Sequence, residues 1–115
     1  MSRRLCPALL RMILALSAVV AALPSAARAA PADDARGYAE QGAEHFKTGR
    51  HADAAEAFER AWQIDPTDVR NLRYAGRARQ EVGHLQRARL LFERYVAIEP
   101  DPALKASIQP HLEKL

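Results

Sequence analysis

Gly49-Arg-His-Ala-Asp-Ala54-Ala-Glu-Ala-Phe58-Glu59-Arg60-Ala-Trp-Gln-Ile64-Asp-Pro66 returns 34 positions later as Gly83-His-Leu-Gln-Arg-Ala88-Arg-Leu-Leu-Phe92-Glu93-Arg94-Tyr-Val-Ala-Ile98-Glu-Pro100. The echo extends backward, so that Ala35–Pro66 is rewritten as Val69–Pro100 with Arg36/Arg70 and Gly42/Gly76 also kept. A period of this length marks stacked supersecondary units, none of which buries its apolar face alone. Each kept residue has a place in a pair of antiparallel helices. Gly49 and Gly83 stand where one helix ends and the chain must turn. Ala54 and Phe58, like Ala88 and Phe92, put a small and a large residue on one helical face. Pro66 and Pro100 stop the second helix, because proline lacks the amide hydrogen and clashes with the preceding turn. Gly42 and Gly76 fall inside helical patterns, where glycine costs about 1 kcal/mol against alanine. A cost taken twice at one register points to a helix crossing closely there. The fold class that follows is all-α.

These residues resemble the tetratricopeptide repeat, whose pattern is W-x2-L-G-x2-Y, then A-x3-F, then P. The first copy supplies Tyr38, Gly42, Ala54, Phe58 and Pro66; the second supplies Leu72, Gly76, Ala88, Phe92 and Pro100. The departures are Gln41 and Ala75 at the leucine site, and His45 and Arg79 at the tyrosine site. The resemblance covers residues 35 to 100. It implies a fragment of an α-solenoid, with repeat 1 at 35–66 and repeat 2 at 69–100. It also implies that the first helix of each pair lines a concave groove that binds a protein or peptide, with no catalysis and no cofactor.

The pattern predicts helices over about 35–48, 52–64, 69–82 and 85–98. A short linker at 30–34 precedes them, with Asp33 or Asp34 as N-cap. Thr67 or Asp68 can accept from the exposed amides of the third helix. Leu85, Ala88, Phe92 and Tyr95 share a face of the fourth. Trp62 is either a plain core aromatic or a roof over the joint between repeats. Residues 102–115 form a fifth helix in a different register, with a stripe of Leu104, Ile108, Leu112 and Leu115. It has the character of a solvating cap on the last repeat. Pro110 predicts a kink or break near Gln109. Two repeats and a cap are few for burying a continuous core. Either a modest stability margin or completion by another surface is expected, through a self-paired dimer or a larger partner.

The first 29 residues read as a secretory signal peptide. Arg3, Arg4 and Arg11 make a basic start, Met12–Leu23 is apolar apart from Ser17, and Ala27-Arg28-Ala29 is an A-x-A cleavage site. The apolar run is shorter than the ~20 residues that span a bilayer; if uncleaved, it would serve as an anchor. Ser2-Arg3-Arg4 is reminiscent of a twin-arginine signal, but Leu5, Cys6 and Pro7 replace the residues such a signal carries next, which favours ordinary Sec export. The expected location is the periplasm or the exterior. Cys6 is the single cysteine and would leave with the leader, so disulfides, thiolate metal sites and a cysteine nucleophile are excluded from the mature chain. Cleavage also removes four arginines and no carboxylate, turning a net charge of +3 into −1. The basic balance of the precursor is therefore no nucleic-acid signal.

No phosphate loop, nucleophile elbow or H-E-x-x-H occurs in the chain. His45, His51, His84 and His111 offer no pair at i,i+3 or i,i+4, and read as surface residues near turns rather than metal ligands. Glu56 with Arg60 and Glu81 with Arg77 read as solvated helix-face partners, and Glu40 and Glu44 as a solvated acidic face. If Leu72, Ala75 and Gly76 face the core, Arg70, Arg73 and Arg77 lie opposite, in the groove that the resemblance implies. Their counterparts in repeat 1 are Arg36, Ala39 and Ala43, a low floor beside three guanidinium groups. Arginine forks suit carboxylates, so a partner with an acidic stretch or a free C-terminus fits. A solubilising arginine face is the plainer account. The reading is an exported protein-binding adaptor; the alternative is a self-associating component of a larger cell-envelope assembly.

Overall fold

A computed structural model describes residues 31–115; the expected signal peptide and cleavage site, and Cys6, lie outside the described residues. The described chain consists of α1 (Pro31–Lys47), α2 (His51–Ile64), α3 (Arg70–Val82), α4 (Leu85–Ile98) and α5 (Pro102–Glu113). Helices α1 and α2 make one hairpin and α3 and α4 the next, as the period requires.

One boundary is corrected. Residues 31–34, expected as linker, are the opening turn of α1. Proline is tolerated in a first turn, where its missing N–H has no helical partner. Asp33 and Asp34 sit at the positive end of the helix dipole, so the residues expected to cap the helix lie inside it.

Both hairpins turn in the same way. Gly49 and Gly83 have φ of +83° and +89°, a conformation that glycine adopts without strain. Just beyond them, the amide of Arg50 donates to the His45 carbonyl at 2.8 Å and that of His84 to the Arg79 carbonyl at 2.9 Å. Between the hairpins, the Asp68 carboxylate accepts from the Arg70 amide at 3.3 Å and so covers the start of α3.

The core is one cluster running from α2 to α5, with Phe46 of α1 packed against it. Ala54, Ala55 and Phe58 of α2, Leu72, Ala75 and Ala78 of α3, Ala88, Leu91, Phe92 and Tyr95 of α4, and Ile108 of α5 are its buried members. Gly42 lets α2 cross α1: a Cβ there would lie 3.0 Å from the Phe58 ring. Gly76 is tighter, with Phe92 atoms 2.6 and 2.8 Å from the same imaginary carbon. Leu85 is corrected out of the α4 core face. It is 45% exposed, at the first position of the helix just after the turn.

Helix α5 starts cleanly, with Asp101 accepting from the Ala103 amide at 2.9 Å and Pro102 at the first position. It takes the place of a third first-helix. As Tyr74 of α3 meets Phe58 at 5.3 Å between ring centroids, His111 of α5 meets Phe92 at 5.5 Å. Ile108 is buried, and Leu112 and Leu115 pack against the core. The expected break at Pro110 is corrected too: α5 runs through it to Glu113. Only the last turn lies beyond the proline, and Ile108 and His111 fasten the helix on either side of it. We expect Pro110→Ala to stabilise the fold by about 1 kcal/mol of the roughly 3 kcal/mol that an interior proline can cost, and so to raise the melting temperature. Thermal unfolding followed by circular dichroism checks this.

Candidate functional site

The groove lies between α1 and α3, where the 34-residue offset places two first-helices side by side. Its centre is an apolar cleft of about 340 Å³ lined by Ala39, Ala43 and Phe46 of α1, Phe58 of α2, and Tyr74 and Arg77 of α3. The small Ala39 and Ala43 leave the space, and the three aromatic residues wall it. Arg77 is exposed on the rim, its guanidinium carbon 5.8 Å from the Phe46 ring centroid. Toward the helix N-termini the cleft continues into a second depression. Ala32, Ala35, Arg36, Ala39, Glu40 and Ala43 face Asp65, Asp68, Arg70 and Asn71 across it.

Of the residues singled out in the sequence, Arg36, Ala39, Ala43, Arg70 and Arg77 line this one groove. Arg73 does not. Its side chain lies over the rings of Tyr74 at 5.1 Å and Tyr95 at 5.9 Å, on the side of α3 turned toward α4. The three arginines therefore differ in kind. Arg70 is already engaged by Asp68, with Nε and Nη2 each 2.9 Å from a carboxylate oxygen. This fork draws the Asp68 carboxyl below its ordinary value, the Arg70 hydrogen bond outweighing burial. Arg36 is 3.9 Å from Asp33. Arg77 has no carboxylate partner among the described residues, so it is the rim cation open to a ligand.

Tyr38, half-buried, carries the Arg60 guanidinium 5.8 Å from its ring centroid. Arg60 and Glu56 do not form the expected ion pair, and neither do Glu81 and Arg77; the cations turn to aromatic rings instead. Trp62 roofs the joint between α2 and α4, half-buried against the core, with Arg94 over it at 4.8 Å.

Sequence reasoning missed the ion-pair centre. Glu59 is buried, and accepts from Nη2 of Arg79 and Nε of Arg87, each at 2.7 Å. It ties α2 to both helices of the next hairpin. The clue was present: Glu59 is kept in both copies, and Arg79 replaces the repeat pattern's tyrosine. The partners, 20 and 28 residues away, could not be assigned without the fold. Burial would raise the Glu59 carboxyl, but the hydrogen bonds and charges of Arg79 and Arg87 prevail and hold it below its ordinary value.

His111 is likewise no surface histidine. It lies against Phe92, with Nδ1 2.9 Å from Oε1 of Gln80. Burial, and then the charges of Arg77 and Lys114, push its pKa down against the opposing pull of Glu81. His51 packs edge-on to Phe46 at 4.7 Å, and His84 lies 3.1 Å from Arg79. Among the described residues no three His, Cys, Asp or Glu side chains come together as metal ligands would, and no helix is long and apolar enough to cross a membrane.

A tetratricopeptide-repeat family model matches residues 45–109, from the last turn of α1 into α5. No curated protein and no solved structure matches the chain.

Proposed function

The chain belongs to the tetratricopeptide-repeat family, a family of protein-interaction modules, and on that premise we propose that it is an exported adaptor that holds a partner protein in the groove between α1 and α3. The observation that carries this reading is the aromatic-walled cleft with Arg77 on its rim, an arginine without a carboxylate partner among the described residues. Ala39, Ala43, Phe46, Phe58 and Tyr74 offer a seat for an apolar side chain, and Arg77 offers a fork for a neighbouring carboxylate. An extended segment with an apolar residue beside an acidic residue or its own C-terminus suits both. The basic n-region, apolar run and A-x-A site at the N-terminus support export to the periplasm or beyond. The reading calls for no bound cofactor or nucleic acid.

Arg77→Glu and Ala43→Trp test it. The first reverses the rim charge and the second fills the cleft. Ala43 and Arg77 are both exposed, so folding is expected to persist. Affinity capture from the cell envelope, with mass spectrometry, is expected to recover a partner with the unaltered chain and to lose it at least tenfold with either variant. Equal recovery with both variants would overturn the groove as the binding site.

A further inference from the structure

Three polar or charged side chains are buried among the described residues: Glu59, Asn71 and Glu99. Two of them are satisfied. Glu59 is met by Arg79 and Arg87, and Glu99 accepts from the Asp101 amide at 3.1 Å. Asn71 is 3% exposed, and its side-chain amide has no hydrogen-bond partner among the described residues. A buried amide without partners costs free energy, and buried polar groups are as a rule paired. This exception needs a reason, inside the fold or outside it.

The fold supplies none. Asn71 is the second residue of α3 but does not cap it: the Asp68 carboxylate covers the Arg70 amide. The backbone amide of Asn71 donates to the Asp68 carbonyl at 3.4 Å, so only the side chain is idle. The repeat does not require it either, since its counterpart 34 positions earlier is Gly37. The side chain lines the depression at the N-terminal end of the groove, a space of about 360 Å³ that Ala32, Ala35 and Ala39 of α1 leave open opposite it. Arg70 and Asp68 border the same space but engage each other. A carboxamide carries donors and an acceptor side by side. In an extended segment the N–H and C=O of one residue point the same way, as they do toward a neighbouring strand, and the two sets match.

We propose that Asn71 holds the main chain of one residue of the partner, accepting from its N–H and donating to its C=O. The inference rests on the groove reading and adds a spacing to it. Along α3, Arg77 lies about 9 Å beyond Asn71 at 1.5 Å per residue, a span that an extended segment covers in about three residues. The apolar cleft at Ala43 and Tyr74 lies between them. The partner thus offers, in order, a main-chain group to Asn71, an apolar side chain to the cleft, and a carboxylate to Arg77.

The probe is a set of short synthetic peptides with free carboxyl termini, each carrying one leucine and one aspartate at varied spacing. Their binding to the chain as recovered from cells is followed by fluorescence anisotropy. Replacing the amide links of the tightest binder by esters, one at a time, removes a single N–H each time. One ester, about three residues from the carboxylate, is expected to weaken binding about tenfold or more in the unaltered chain and to have little effect in Asn71→Leu. Asn71→Leu is also expected to bind the all-amide peptide about tenfold or more weakly. It should melt no lower than the unaltered chain, because leucine fills the place of the amide without an unpaired polar group. A flat ester scan, the same scan in Asn71→Leu, or undiminished binding by Asn71→Leu would each overturn the proposal. Arg77→Glu separates the two readings. If it loses the peptide while Asn71→Leu keeps it, only the role of Asn71 fails; if both keep it, or if no peptide binds the unaltered chain, the groove reading fails as well.

Discussion

Phe92→Ala is expected to lower the unfolding free energy by about 3–5 kcal/mol, the range for deleting a buried aromatic ring. Phe92 is completely buried and serves three elements at once. It fills the space that Gly76 opens in α3, it sits in α4, and it receives His111 of α5. Few other residues could close such a void, since Ala75, Ala78 and Ala88 around it are already small. Against a total stability of about 5–15 kcal/mol for small domains, a substantial unfolded fraction is expected at 37 °C. The reciprocal change, Gly76→Ala, places a methyl 2.6 Å from the ring. Overpacking of about 1–3 kcal/mol then exceeds the ~1 kcal/mol gained in helix propensity, so this variant is also less stable. Gly42→Ala is expected to cost less, because the Phe58 contact there is 3.0 Å. Combining Gly76→Ala with Phe92→Leu should cost less than the sum of the two alone, since the added methyl occupies part of the space the ring leaves. Urea unfolding of these five variants, Phe92→Leu alone included, measures all of these quantities.

The second large effect is at Glu59. Glu59→Ala removes the carboxylate that holds Arg79 and Arg87. Arg79 is 15% exposed in its side chain and its Nε already has no partner, so a nearly buried cation is left uncompensated. A loss of about 3 kcal/mol is expected, at the lower end for breaking a buried pair because Arg87 can turn to solvent. Glu59→Leu should fare no better than alanine unless Arg79 is replaced as well. The same contact sets an acid limit. The Glu59 carboxyl titrates lower in the folded chain than its ordinary 4.5. Its contribution is therefore complete above about pH 4.5 and is lost as pH falls through the folded value. Stability measured from pH 6 to pH 3 should decline in the native chain and decline less steeply in Glu59→Gln. Equal slopes would show that other carboxylates govern the acid transition.

These two positions show how differently parts of the fold were legible. Phe92 and Gly76 were marked by repetition, and a helix crossing at the glycine follows from the cost of glycine inside a helix. Glu59 was repeated as well, but repetition alone gave it no meaning: its copy Glu93 is exposed and has no cation partner among the described residues. What separates the two copies is the environment that the next hairpin provides. Arg73 and Arg77, four apart and so expected on one face, were divided by a comparable effect. Tyr74 and Tyr95 draw Arg73 away, whereas Arg77 stays on the cleft rim.

The sequence by itself determined the helical hairpins, their two glycine turns, the alanine–phenylalanine core faces and the limits of α2 to α4 to within a residue. Those features are set by local conformational cost and by a period that can be counted along the chain. Only the tertiary structure decided that α5 runs unbroken through Pro110 as a third first-helix, that Glu59 is the tie between hairpins, and that one arginine rather than three stands open in the groove. Those outcomes depend on which side chains meet across 20 or more residues of chain. Burial and charge at a meeting point belong to the pair of surfaces and to neither stretch of sequence alone.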